Sequence, residues 1–93
     1  MMEKKTDHYR GCRIDAVVTP ATEPKLHTSY KVTPETEEAK AAYRGVPGSS
    51  SETHRDLDRS GGPDPIAEAM KFTISQAKGE IDHIFMQAEK RSD

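Results

Sequence analysis

The side chains that could hold a metal or act as a nucleophile are four histidines and one cysteine. His8, His27, His54 and His83 are scattered. No two stand three or four residues apart, the spacing that brings two imidazoles to one metal on a helix face, and no C-x-x-C occurs. Cys12 is close to His8 in sequence, but a thiol nucleophile also needs a positioned base and an oxyanion site. Cys12 alternates in phase with Ile14 and Val18, so it reads as a small core hydrophobe. His83 falls just off an apolar helical stripe and reads as a solvated surface residue.

Paired carboxylates give no better case for an enzyme. Glu35, Glu37 and Glu38 form an acidic run, and Asp56 and Asp58 lie in a polar stretch; such runs are ordinarily solvated surface. No phosphate-binding loop, dinucleotide fingerprint or nucleophile elbow occurs. The Gly61-Gly62-Pro63-Asp64-Pro65 stretch has glycines but no lysine and no preceding strand. The sequence therefore names no catalytic, cofactor-binding or metal-binding residue, and no cofactor is expected. It reads as a small non-enzymatic interaction or regulatory protein. The alternative is a nucleic-acid-binding module that uses the outer face of a small sheet, with Arg13, His27, Lys31 and Arg44 as the ligand face. Asp15 on that same face, a net charge of -2 and an aromatic content of 5% weigh against it. The serines beside arginines and acids in residues 49–60 also suit a phosphorylation or docking segment, though a passive tether is the simpler reading.

The bulk composition agrees. Ninety-three residues make one small domain, and only 32% are hydrophobic, so the core is small and stability marginal. A net charge of -2 provides no global field for nucleic acid or anionic membrane. A single cysteine fits a reducing compartment, and the opening residues lack the apolar run of a signal peptide. No apolar stretch approaches the roughly 20 residues that span a bilayer. A cytoplasmic protein without membrane association is expected.

Any functional residue must be positioned by a few elements. The clearest is a helix over residues 64–91. Ile66, Met70, Thr73, Ile74, Ala77, Ile81, Ile84, Phe85 and Ala88 recur at steps of three and four. Asp64 is placed as N-cap and Pro65 as first helical residue, with Lys90 and Arg91 in the last turn. Gly79 is a weak point in its middle. Cys12, Ile14, Ala16 and Val18 alternate with polar neighbours and predict a strand ended by Pro20. Leu26, Thr28, Tyr30 and Val32 predict a second, ended by Pro34, and the short connection favours an antiparallel hairpin. Gly11 predicts a bulge or bend at the start of the first strand.

Residues 34–46 are ambiguous. Their first part has helix-forming composition, but a short edge strand over 41–46 is favoured because a third strand steadies a hairpin. Residues 1–7 are expected to be disordered and residues 47–63 to form a flexible linker. The fold class is thus α+β: within a single domain over 8–91, a two- or three-stranded antiparallel sheet over 8–46 packed against one long C-terminal helix.

Tyr9, Gly11 and Ile14, with Ala77, Lys78, Ile81 and Asp82, give the chain a further feature. The pattern resembles a group of short proteobacterial proteins that open with a Tyr-x-Gly-x-x-Ile strand and close with an Ala-Lys/Arg-x-x-Ile-Asp helix. The resemblance implies a small antiparallel sheet on one helix in a bacterial protein, and no catalytic residues. Tyr9-Arg10-Gly11 also resembles the opening of plant-type three-stranded DNA-binding domains.

Length sets one more expectation. A helix of about 26 residues is roughly 39 Å long, whereas strands of about eight residues span roughly 26 Å. A hairpin would leave the helix end, Ile81, Ile84, Phe85 and Ala88, as an exposed apolar interface. A two-fold homodimer through that end is the expected assembly.

Overall fold

The computed structural model describes residues 2–22, 25–44, 46, 52–58 and 62–91. The elements are β1 (Glu3–Tyr9), β2 (Cys12–Pro20), β3 (Lys25–Pro34), α1 (Glu37–Tyr43), β4 (Thr53–Asp58) and α2 (Pro65–Arg91). The four strands form one antiparallel sheet in the order β1-β2-β3-β4. The helices lie on one face of it. The architecture is α+β with one long C-terminal helix, as the periodicity predicts, but the sheet has four strands.

The two strands legible in the sequence are the central pair. Cys12, Ile14, Ala16 and Val18 of β2 are buried while their neighbours are half-exposed. Ile14 stands opposite Val32, and Ala16 opposite Tyr30, so the buried sets of β2 and β3 share a face. Met70, Ile74, Ala77 and Ile81 of α2 close over them. The N-terminus of α2 is built as expected, with an Asp64 carboxylate oxygen accepting from the Ala67 amide at 3.0 Å.

Four expectations are corrected. Residues 3–7, in the stretch read as disordered, form strand β1 together with His8 and Tyr9. Its sequence, EKKTDHY, has no apolar alternation because it is an edge strand. Main-chain pairing to β2 holds it, helped by the Thr6 hydroxyl donating to Asp15 at 3.0 Å. Gly11 marks neither bulge nor bend but a two-residue hairpin turn. Arg10 and Gly11 have φ of 50° and 79°, the left-handed pair of a type I′ turn.

The edge strand expected over 41–46 is instead helix α1, following the helix-forming composition of its residues. Thr36 caps it, accepting from the Ala39 amide at 3.1 Å, and Glu37 and Glu38 suit its first turn. Ala39, Ala42 and Tyr43 face inward and complete the core beside α2.

The stretch read as a linker contains strand β4, paired with β3 from Lys25–Asp58 to Tyr30–Thr53. Leu57 is its one partly buried apolar residue. Polar contacts replace burial: Lys25 with Asp58, His27 with Asp56, and the Thr28 hydroxyl with the Arg55 carbonyl at 2.7 Å. Of the remainder of that stretch, 47–51 and 59–61 lie outside the described residues.

Candidate functional site

The expected interface residues are largely covered within the chain. Ile81 is fully buried and Phe85 is 7% exposed, while Ile84 and Ala88 pack against the core. Two unforeseen elements lengthen the cover. Helix α1 packs on α2, and the β1–β2 turn brings the Arg10 guanidinium over the Phe85 ring, 4.6 Å from its centre. Of the apolar helix end, Ile81 and Phe85 are thus covered within the chain, while Ile84 and Ala88 are half-buried and Met86 beside them is 49% exposed.

The expected ligand face is only partly assembled. Arg13, His27 and Lys31 lie on the sheet face away from α2, but Arg44 caps α1 in the helix layer. That face is internally neutralised. Arg13 binds Asp15 at 3.1 Å and Glu35 at 3.5 Å, Lys25 binds Asp58, and Lys31 stands opposite Asp15 in the ladder. His27 donates from Nδ1 to Asp56 at 2.7 Å, and its Nε2 lies 3.1 Å from His54 Nδ1. His54 Nε2 in turn lies 3.8 Å from Glu52. The two rings stack with centroids 5.2 Å apart. This run of two imidazoles ends in a carboxylate at each side. Among the described residues, no group of three or more His, Cys, Asp or Glu side chains could hold a metal ion. Sequence reasoning missed the pairing because β4 was not recognised as a strand.

Cys12 is buried, and burial, with a smaller effect from Glu35, pushes its thiol upward. That disfavours the reactive thiolate and fits a core role. His83 is exposed and His8 pairs with Glu35 at 3.4 Å.

The motif residues Tyr9, Gly11, Ile14, Ala77, Lys78, Ile81 and Asp82 serve one joint. The Tyr9 hydroxyl and Arg10 guanidinium both donate to Asp82, at 2.8 and 3.1 Å, fastening the β1–β2 turn to α2. The Tyr9 phenol is held above its usual range, first by that hydrogen bond. Lys78 sits over the Tyr9 ring and reaches Asp7 at 3.6 Å. Ile14, Ala77 and Ile81 are core residues below the joint. These residues build the fold.

A groove of about 920 Å³ lies between β1 and the first half of α2. Ile66, Met70 and Ile74 give it an apolar floor; Glu3, Lys4, Lys5 and Asp7 line the strand side, and Lys71, Ser75 and Lys78 the helix side. No residue of β2 or β3 lines it, so it lies beside the sheet edge that β1 forms. Met70 and Ile74 are legible in the sequence as core. Their second role as a floor was hidden because β1 was not recognised.

Comparison with known protein families, with curated proteins and with solved structures finds no match. Among the described residues, no helix is long and apolar enough to cross a membrane. The fold class and the groove therefore stand on geometry alone.

Proposed function

We propose that the protein is a small non-enzymatic interaction module that receives a partner protein in the groove between β1 and α2. The observation that carries this reading is the groove itself: an apolar floor with charged walls, beside an edge strand. Apolar floors with a few placed polar groups favour ligand capture, and an edge strand offers unpaired main-chain groups beside them. The ion pairs on the outer sheet face weigh against the nucleic-acid alternative, because Arg13 and Lys25 already have carboxylate partners. A homodimer is a competing occupant of the edge rather than of the helix end.

The test is site-specific photo-crosslinking of the full chain in its host cells. A crosslinking amino acid at Ser75, in the groove wall, should give discrete adducts with protein. The same group at Lys31, on the outer face, should not. Adducts from Lys31 alone, or adducts with nucleic acid, would overturn the reading.

A further inference from the structure

The strand side of the groove has a feature that selects among occupants. The tight turn makes Tyr9 and Cys12 a hydrogen-bonded pair, and the alternation of an antiparallel ladder then sets the rest of β1. Asp7, Lys5 and Glu3 direct their main-chain groups to β2. His8, Thr6 and Lys4 direct theirs outward. The His8 amide is already occupied, donating to the Asp7 carboxylate at 2.8 Å. Among the described residues, that leaves the main-chain groups of Lys4 and Thr6 open on the edge, directly beside the groove.

The charges of the lining are not balanced. Asp7 is paired with Lys78, and Asp64 caps α2. Among the described residues, Lys4, Lys5 and Lys71 make no ion pair, and of the lining acids only Glu3 is left with neither a pair nor a cap to make. The lining therefore has surplus positive charge above an apolar floor.

Resting on the groove reading above, we infer that the occupant is an extended segment of another protein that adds to β1 as a fifth strand, with apolar and acidic side chains alternating among those that face α2. The main chain bonds to Lys4 and Thr6. Apolar side chains enter over Met70 and Ile74, and carboxylates meet Lys5 and Lys71. Strand addition of this kind draws affinity from main-chain bonds and specificity from every second side chain. A second copy of the chain would bring the same lysines to the edge, and helical or basic partners would leave either the edge or the cations unmatched.

The probe is the heptapeptide Val-Thr-Glu-Thr-Val-Thr-Glu, titrated into the full chain and followed by NMR and amide exchange. Its counterpart carries Lys in place of Glu. Two further versions are N-methylated on alternate residues, one in each phase. The Glu peptide should bind and protect the Lys4 and Thr6 amides. Lys71→Glu should weaken it at least tenfold while leaving the melting temperature unchanged, and one methylation phase alone should abolish binding. No binding up to ~1 mM, equal binding of the Lys peptide, or unprotected Lys4 and Thr6 amides would overturn the inference. So would a free chain that sediments as a dimer with those amides already protected. Groove crosslinks at Ser75 without edge protection would overturn strand addition and leave the interaction reading standing; loss of the crosslinks would remove both.

Discussion

At the scale of single residues, two glycines show how one residue type can be required in one place and only tolerated in another. Gly11 has φ of 79°, and its carbonyl accepts from the amides of Glu35 at 2.8 Å and Thr36 at 3.2 Å. A Cβ there would collide with the Thr36 side chain that caps α1. Gly11→Ala should cost about 2 kcal/mol or more, combining left-handed backbone strain with overpacking. Gly79 faces open space, with nothing within 4 Å of an added Cβ. Gly79→Ala should stabilise by about 1 kcal/mol through helix propensity. Urea denaturation of both variants checks the pair; effects of the same sign would contradict the difference in environment. Tyr43 is a third singular residue. Its hydroxyl is buried without a hydrogen-bond partner among the described residues, and burial pushes the phenol far above its ordinary range.

At the scale of elements, β4 is the strand that most needs an experiment, because its sequence reads as a tether. It should show slowed amide exchange at the alternate positions that bond β3. His27→Ala removes the partner of both Asp56 and His54 and should raise exchange in β4 selectively, leaving the β2–β3 ladder unchanged. Uniformly fast exchange across residues 53–58 would restore the linker reading. The contrast between legible and illegible elements has a physical cause. β2, β3 and α2 bury a face, so their apolar residues repeat at the period of the element. β1 and β4 are edge strands held by main-chain pairing and polar cross-strand contacts, which leave no such period. α1 is short, and its alanines suit a helix while its Tyr-Arg-Gly-Val end suits a strand, so packing against α2 decides. The groove was illegible for the same reason as β1, since one of its walls is that strand.

At the scale of the whole molecule, the joint between the β1–β2 hairpin and α2 rests on carboxylates, and this makes stability depend on acid. The Asp7 carboxyl is held below its ordinary value chiefly by the hydrogen bond from the His8 amide, aided by Lys78 against a desolvation effect of opposite sign. A depressed carboxyl contributes fully above its unfolded value, about 4, and the contribution is lost as pH falls through the folded value. Denaturation curves from pH 7 to pH 2 should therefore show stability falling below about pH 4. In Asp7→Asn the fall should be shallower and stability at pH 7 lower. An unchanged acid limb would remove Asp7 from the account.

The order of strands along the sheet is also their order along the chain, and the helix that covers them comes last. This has a consequence during synthesis. Every strand leaves the ribosome before the first turn of α2 does. At about 5–20 residues per second, the 27 residues of α2 take roughly one to five seconds to make. For that interval Ile14, Val18, Leu26 and Val32 form a water-exposed apolar face on a sheet whose partner is not yet translated. That face is covered only once α2 has been made and docks on it.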